Sequence, residues 1–218
     1  MAPVLLSRRL EFPDAAQASP DGLVAVGGDL SPKRLLLAYH SGLFPWTVQP
    51  ITWWSPDPRG IFDLETFHPS RRLTQLIRQR PFDISFDRAF TKVMQGCALP
   101  ARGRETTWIS REIIEAYTAL HHAGHAHSVE CWRGDALVGG IYGVHVGGLF
   151  AAESMFHRAD NASKIALAHL ISHLRQRGFA LFDIQTLTAA TRSLGAVEIS
   201  RAEYLRRLAQ AVAMGCEL

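Results

Sequence analysis

The sequence has few cysteines and no long apolar run. Its three cysteines, Cys97, Cys131 and Cys216, are widely spaced and odd in number, which argues against a disulfide framework or a zinc ribbon and suits a reducing compartment. No window approaches about 18 uninterrupted apolar residues, and no apolar stretch follows a basic start at the N-terminus. We therefore expect a cytoplasmic protein without a membrane span or a secretory signal.

Glycine-rich nucleotide loops are also missing. A phosphate-binding loop places its glycines between a strand and the start of a helix. The central glycines instead fall within and between predicted strands, where bulges or close backbone contacts explain them better. They are Gly139, Gly140, Gly143, Gly147 and Gly148.

Histidines cluster at one predicted helix end without forming an evident metal site. His121 and His125 would share a helix face, but Gly124 is expected to break that helix between them. No fourth ligand is obvious near His127 and Cys131. Solvated helix-end histidines are the simpler interpretation, and no metal is expected.

Lysine is scarce, so nearly all of the positive charge is arginine. The 218 residues carry 23 Lys and Arg against 20 Asp and Glu, and the only lysines are Lys33, Lys92 and Lys164. Arginine forks suit phosphate oxygens, although genome composition can also favour arginine over lysine. The net charge of +3 permits an anionic partner without requiring one.

The segment from Leu43 to Gly60 is rich in tryptophan and proline. It holds Trp46, Trp53 and Trp54, and its prolines predict an extended chain rather than a long helix. Flat side chains on a rigid segment suit the stacking of a planar ligand such as a nucleobase. The alternative is that these tryptophans fill a core or a domain interface.

Hydrophobic spacing and capping residues predict an α+β fold. Residues 1–30 are expected to be irregular, residues 86–97 to form a helix, and residues 127–156 to form three antiparallel strands. Falling proline density predicts a small N-terminal domain over 1–62 and a larger one over 63–218. Further helices are predicted after Ser31, Ser70, Ser110, Asp160 or Asn161, and Ser200.

Two features of the larger domain suggest chemistry. Arg71, Arg72 and Arg78 form a basic helix face that suits phosphates, although a solvated face explains it equally well. Asp183 and Gln185 lie two residues apart near the end of a predicted strand, so both are expected on one face. A buried carboxylate there is more often structural than catalytic.

Several long motifs, in order over about residues 22–208, resemble the leucyl/phenylalanyl-tRNA–protein transferase family. They are VGGDLSPKRLLLAYHSGLFPW, WWSPDPRG, TTWIS, GHAHSVECWRGDALVGGIYGV, ESMFHRADNASKIAL and FDIQTLTAATRSLGAVEI. The resemblance implies an acyltransferase domain similar to GNAT enzymes behind a small N-terminal α/β domain. It also implies transfer of Leu or Phe, and Met more weakly, from tRNA to proteins that begin with Arg or Lys. The products would then be degraded through the N-degron pathway, and the enzyme would be a cofactor-free monomer.

The resemblance also implies roles for single residues. Asp183 and Gln185 match the catalytic positions: Gln185 is expected to orient the attacking amine, and Asp183 to polarise it and take up the proton. Glu153 is expected to hold the cationic N-terminal residue of the acceptor. Trp46 and Trp108 are expected at the terminal adenosine, and the arginines of the basic helix at the acceptor stem. The amino-acid pocket is expected to consist of Ile141, Met155, Phe156, Leu170, Leu174 and Phe182.

One departure from the family pattern follows Gln185. Family members usually carry Asn or Thr, a spacer and then His, whereas this chain has Thr188, Ala189 and Ala190. Local packing or acceptor binding over residues 186–192 is therefore expected to differ. The missing histidine leaves Asp183 and Gln185 in place.

Two other functions remain open at this point. One is a coenzyme A-dependent N-acyltransferase on the same fold. In such an enzyme the pyrophosphate of coenzyme A would bind at the start of a helix. The segment Arg158–Asn161 before the predicted helix contains the acidic Asp160, which argues against this function. The other is a tRNA-binding module without activity.

Overall fold

The computed structural model describes residues 3–100 and 107–218, and its first strands form a small sheet. This sheet has four strands in the order β1-β2-β4-β3, of which only β1 and β2 are parallel. The helix α1 (Pro32–His40) links β2 to β3. The strands are β1 (Val4–Leu6), β2 (Leu23–Gly27), β3 (Phe44–Val48) and β4 (Ile51–Trp54).

The remaining strands form a seven-stranded sheet. They are β5 (Arg59–Phe62), β6 (Asp83–Phe86), β7 (Ala126–Arg133), β8 (Ala136–Val146), β9 (Leu149–His157), β10 (Leu181–Gln185) and β11 (Val197–Ile199). Their order is β11-β5-β10-β9-β8-β7-β6. Only β9 and β10 run parallel, with α5 (Ala162–Gln176) as the crossover between them. The other helices are α2 (Arg71–Arg78), α3 (Phe90–Ala98), α4 (Arg111–His122), α6 (Ala189–Ser193) and α7 (Arg201–Val212).

Serine caps begin four helices as the sequence predicts. The hydroxyl oxygen of each accepts a hydrogen bond from the backbone N–H three residues later, which satisfies one of the unpaired donors of the first turn. These caps are Ser31, Ser70, Ser110 and Ser200. Asn161 precedes α5 in a left-handed conformation, and its side chain makes no capping bond. The predicted α+β class and the three antiparallel strands β7, β8 and β9 are confirmed.

Short elements account for most of the differences from prediction. Residues 1–30 are not irregular, because β1 and β2 lie there, and residues 86–97 contain the end of β6 as well as α3. The elements α6 and β11 were not predicted at all. A strand of three residues carries too little alternation to be recognised without its neighbour. The small sheet ends with β4 at Trp54, and the large sheet begins with β5 at Arg59. The division between residues 62 and 63 stays a prediction.

Apolar residues cover both faces of the large sheet. Helices α3, α4 and α7 pack on one face together with α1 and the small sheet. Helices α2 and α5 pack on the other face. In the part of the chain that the structure describes, no helix combines the length and hydropathy that crossing a bilayer requires. The N-terminal unit thus shares a core with the larger one, and a site can form where they meet.

Candidate active site

A cavity of about 300 Å³ opens where the edge of the small sheet meets the centre of the large one. We call it the site cavity. Its volume is at the lower end of the range for small-molecule pockets, roughly 300–1,000 Å³. Its walls are mainly apolar, with a few polar groups. It is lined by Phe44, Pro45, Trp46, Phe62, Trp108, Ile141, Ala152, Glu153, Ser154, Met155, Leu167, Ile184, Gln185, Thr186, Thr188 and Thr191.

Three β-bulges shape this cavity. The pairing of β3 with β4 shifts around Trp46, that of β9 with β8 shifts around Glu153, and that of β10 with β5 shifts between Asp183 and Gln185. A bulge interrupts the alternation of side chains and re-aims the residue that it carries. Consecutive residues can therefore line one cavity, as 152–155 and 184–186 do.

Gln185 is held in a strained conformation at the cavity wall. Its φ of +57° lies in the left-handed region, which costs a residue with a Cβ on the order of 1–2 kcal/mol. Two hydrogen bonds fix it there. Its backbone N–H donates to Asp183 Oδ1 over 2.9 Å, and its side-chain Nε2 donates to Glu153 Oε1 over 2.8 Å. The amide of Gln185 is thereby presented to the cavity in one orientation.

Asp183 and Gln185 differ in their access to the site cavity. The bulge turns Gln185 toward the cavity, whereas Asp183 is 0% exposed and does not line it. Arg59 donates to both carboxylate oxygens, at 2.9 and 2.6 Å, and Tyr204 donates to Oδ2 at 2.9 Å. With the N–H of Gln185 as a fourth donor, this carboxylate accepts four hydrogen bonds from groups inside the protein.

Glu153 is the carboxyl group that faces the cavity. Its side chain is partly exposed there, and burial of the remainder raises its pKa to about 8. The negative charge of Asp183 acts in the same direction, while hydrogen bonds from Tyr39 and Tyr117 and the charge of Arg59 oppose it. A carboxyl group of this pKa exchanges protons near neutral pH.

Only two of the six predicted pocket residues line the site cavity, namely Ile141 and Met155. Phe156 follows Met155 on β9 and points to the opposite face, where its ring packs against Gly96. Leu170, Leu174 and Phe182 are buried in the core behind the cavity. The ring of Phe182 lies 5.6 Å from that of Phe62, which does line the cavity, so Phe182 supports the wall from behind.

Sequence reasoning missed other apolar wall residues, among them Phe62, Leu167 and Ile184. Leu167 lies on the same apolar helix as Leu170, and helical spacing alone does not distinguish a cavity wall from a core. Ile184 is exposed to the cavity by the bulge in β10.

The tryptophans of the segment from Leu43 to Gly60 do not all have the same environment: one is open to a ligand, and another lies in the core. Trp46 is 43% exposed and lines the cavity together with Trp108. Trp53 is fully buried, and its Nε1 donates to the carbonyl of Gly27 over 2.9 Å. Trp54 packs edge-on against Trp46, with ring centroids 5.3 Å apart. Trp46 and Trp108 are therefore available to a ligand, whereas Trp53 is core.

The residues after Gln185 form part of the same wall. Thr188 caps α6, and the side chains of Thr188 and Thr191 each accept a hydrogen bond from the backbone of the other. Both threonines line the cavity. Ala190 lies between them on the helix.

The basic face of α2 is exposed. Arg71, Arg72 and Arg78 are all accessible, and the buried Leu73 anchors the opposite side of the helix. In the described ranges, none of these three arginines takes part in an ion pair. Their charges are free to meet an anionic partner.

The clustered histidines differ from one another, because His122 is exposed whereas His127 belongs to a hydrogen-bonded chain. His127 Nδ1 lies 2.7 Å from Asp87 Oδ2, and its Nε2 lies 3.0 Å from His145 Nδ1. Burial lowers the pKa of His145 to about 4. Among residues 3–100 and 107–218, no three His, Cys, Asp or Glu side chains are grouped so that they could hold a metal ion.

Some solved structures are similar to this chain at low sequence identity. One is the L-PGS of Bacillus licheniformis, with a TM-score of 0.43 and 13% identity over 78% of this chain and 55% of that chain. Another is a GCN5-related N-acetyltransferase-like protein from Streptococcus suis, with a TM-score of 0.38 and 15% identity over 74% of this chain and 61% of that chain.

Sequence comparisons give a much closer match. Proteins named leucyl/phenylalanyl-tRNA–protein transferase are 48% identical over 200 residues in Shewanella baltica and 50% identical over 198 residues in Citrobacter koseri. These matches cover 91% and 90% of this chain, and 84% of each relative. The family model for the leucyl/phenylalanyl-tRNA protein transferase matches residues 61–209, and that for its N-terminal domain matches residues 28–57. This chain therefore belongs to the leucyl/phenylalanyl-tRNA–protein transferases, a family of aminoacyltransferases that use an aminoacyl-tRNA donor and a protein acceptor.

Proposed function

We propose that this protein transfers Leu or Phe, and Met more weakly, from aminoacyl-tRNA to proteins whose N-terminal residue is Arg or Lys. The transfer marks those proteins for degradation through the N-degron pathway. It takes place in the cytoplasm, and the enzyme is a monomer that needs no cofactor. The observation that carries this proposal is an apolar cavity with Gln185 and Glu153 on its wall and two tryptophans at the same opening.

The reaction needs little chemical activation. The lone pair of the acceptor amine forms a bond to the carbonyl carbon of the aminoacyl ester, and the bond from that carbon to the terminal ribose oxygen breaks. The proton lost by the nitrogen ends on that oxygen. Correct placement of the two reactants lowers the barrier by roughly 7–11 kcal/mol. An α-amine has a pKa of about 7.7–8.0, so roughly 10–20% of it is already nucleophilic at neutral pH.

The donor occupies the apolar side of the cavity. Its leucine or phenylalanine side chain contacts Ile141 and Met155, where there is no charge to desolvate. Trp46 and Trp108 stack on the terminal adenosine. The arginines of α2 contact phosphates of the acceptor stem, which positions the tRNA without reading its sequence.

The acceptor approaches the polar wall. The side chain of Gln185 orients the amine, and Glu153 holds the cationic N-terminal residue. Because the carboxylate of Asp183 is enclosed and fully hydrogen-bonded, it acts through Gln185 by fixing the backbone of that residue. Asp183 is therefore a positioning residue, and the proton acceptor has to be a group that faces the cavity.

A transfer assay tests this function. Radiolabelled Leu-tRNA is incubated with two peptides that differ only in an N-terminal Arg or Ala, and label is expected on the Arg peptide alone. Equal labelling of both peptides would contradict the acceptor specificity. Retention of tRNA without labelling would support an inactive binding module, and calorimetric binding of coenzyme A would favour the acyltransferase alternative.

A further inference from the structure

The hydroxyl group of Tyr204, on the last helix α7, belongs to a closed ring of hydrogen bonds. It accepts a hydrogen bond from Arg59 Nη2 over 3.2 Å and donates one to Asp183 Oδ2 over 2.9 Å. Arg59 Nη2 donates to the same carboxylate oxygen over 2.6 Å. The three side chains are at most 1% exposed, so bulk water does not replace these bonds. Burial raises the pKa of the Tyr204 hydroxyl well above its ordinary value, so the group keeps its proton and is the donor to Asp183.

Packing alone does not explain a tyrosine at this position. The ring of Tyr204 lies in the apolar core, where phenylalanine would fill nearly the same volume. The Arg59 guanidinium lies over this ring, and phenylalanine would keep that contact as well. A buried hydroxyl costs free energy unless it is hydrogen-bonded, so its presence indicates a specific partner. The acceptor that Tyr204 reaches is the carboxylate of Asp183.

The carboxylate of Asp183 carries this constraint on to Gln185. Its Oδ2 is held by Tyr204 from α7, and its Oδ1 accepts the backbone N–H of Gln185 over 2.9 Å. Arg59 on β5 donates to both oxygens, so the plane of the carboxylate is fixed. Gln185 needs such support, because its φ of +57° is strained for a residue with a side chain. In that conformation its amide meets Glu153 on the cavity wall.

We propose that Tyr204 is a positioning residue of the transfer reaction, which acts through Asp183 to hold Gln185 in the conformation that presents its amide to the cavity. This inference rests on the proposed function. Tyr204 is not among the described residues that line the site cavity, so it meets neither substrate directly. Loss of its hydroxyl should therefore lower turnover without weakening the binding of aminoacyl-tRNA, whose apolar wall and basic helix stay in place.

The experiment compares the wild-type protein with Tyr204→Phe and with Leu208→Ala. The first variant removes only the hydroxyl, whereas the second opens a void one turn further along α7 and keeps the hydroxyl. In Tyr204→Phe, kcat for labelling of the Arg peptide is expected to fall about tenfold, while KM for Leu-tRNA changes by less than about twofold. Leu208→Ala is expected to be less stable but to keep the wild-type kcat. The assays are run where denaturation curves show each protein folded.

A double-mutant cycle tests whether the effect passes through Asp183. Tyr204→Phe is combined with Asp183→Asn, and kcat is measured for the wild type, both single variants and the double variant. If the hydroxyl acts through the carboxylate, adding Tyr204→Phe to Asp183→Asn should lower kcat by less than about twofold. Independent effects would multiply instead.

NMR spectroscopy gives a measurement that needs no turnover. Selective ¹⁵N labelling of glutamine isolates the backbone amide of Gln185, which is assigned by its loss in Gln185→Glu. Its proton shift is expected to move in Tyr204→Phe and to stay constant in Leu208→Ala, because only the first change alters the acceptor. The wild type alone serves if Tyr204→Phe does not fold. The hydroxyl proton of Tyr204 is expected to exchange slowly with solvent and to give its own signal, since it is buried and donated to a carboxylate.

Several outcomes would overturn the inference. A folded Tyr204→Phe with the wild-type kcat would do so, and an equal loss of kcat in Leu208→Ala would show that only the packing of α7 matters. A tenfold loss that persists beside Asp183→Asn, an unmoved amide signal of Gln185 or a rapidly exchanging hydroxyl proton would also contradict it. A wild-type protein that shows the expected NMR signals but labels no Arg peptide would refute the proposed function itself, and the role in transfer with it.

Discussion

At the scale of single residues, the buried pair of Arg59 and Asp183 is the best-defined interaction near the site. Both side chains are almost completely buried, at 1% and 0% exposure, and two hydrogen bonds join them. The Arg59 guanidinium also lies over the ring of Tyr204, 4.2 Å from its centroid. Breaking such a pair by removing one partner leaves an uncompensated buried charge, which costs about 3–5 kcal/mol.

Asp183→Asn is therefore expected to lower the free energy of unfolding by about 3–5 kcal/mol and to reduce transfer strongly. The measurement is urea unfolding together with the transfer assay. The double variant Arg59→Gln/Asp183→Asn serves as the control. Because it leaves no unpaired charge, it should lose less than the sum of the two single variants. Strict additivity of the three free energies would contradict a coupled pair.

At the scale of secondary-structure elements, the helix α2 presents the most accessible charge. Its arginines project from a short helix that Ser70 caps and Leu73 anchors, and residues 69–82 contain no acidic residue. Arginines that neutralise phosphates release the counterions bound to the RNA. Binding to tRNA should therefore weaken with salt in proportion to the number of arginine–phosphate contacts.

The triple variant Arg71→Ala/Arg72→Ala/Arg78→Ala is expected to bind Leu-tRNA more weakly and with a flatter salt dependence. If all three arginines contact phosphates, the slope of log K against log salt should fall by up to about 2–3. The measurement is filter binding over a range of salt concentrations. Arg206→Ala is the control, because that arginine is exposed but already paired with Glu203. A triple variant with the wild-type slope would remove α2 from the tRNA interface.

In the strands, bulges limit what the periodicity of residues can predict about the placement of side chains. Local chemistry predicted three features, namely the extended segment from Leu43 to Gly60, the strands β7 to β9 and the serine-capped helices. The orientation of the side chains of Trp46, Glu153 and Gln185 toward the cavity depends on bulges instead. A bulge depends on the register between two strands that are distant in sequence, so alternation within one strand does not show that Gln185 lines the cavity while Asp183 is enclosed.

At the scale of the whole molecule, the two units are joined by contacts that also build the site. Arg59 on β5 donates to the carbonyl of Gly42 over 3.2 Å, and Arg201 on α7 donates to the carbonyl of Ser55 over 2.8 Å. Gly42 has a φ of +81°, and a Cβ added to it would lie 2.7 Å from Leu205 Cδ2 on α7. The chain therefore needs glycine there both for its backbone conformation and for the approach of α7.

Gly42→Ala is expected to destabilise the protein more than Gly124→Ala, which is its matched control. Gly124 has the same φ of +81° but no atom within 4 Å of an added Cβ. The control should lose roughly 1–2 kcal/mol from backbone strain alone. Gly42→Ala should lose about 1–3 kcal/mol more, because the contact with α7 is overpacked. Chemical denaturation of both variants measures the difference, and equal losses would show that α7 moves aside freely.

The sequence by itself determined the helices with their serine caps, the central antiparallel strands and, through several long motifs in order, the family. These properties depend on neighbouring residues or on motif strings that can be read directly from the chain. Only the tertiary structure decided which side chains reach the site cavity. It enclosed Asp183 with Arg59, left Glu153 and Gln185 open, and brought Tyr39 to Tyr117 across 78 positions of sequence. The physical reason is that strand register, bulges and packing between two units are long-range properties, which residue spacing along one segment does not encode.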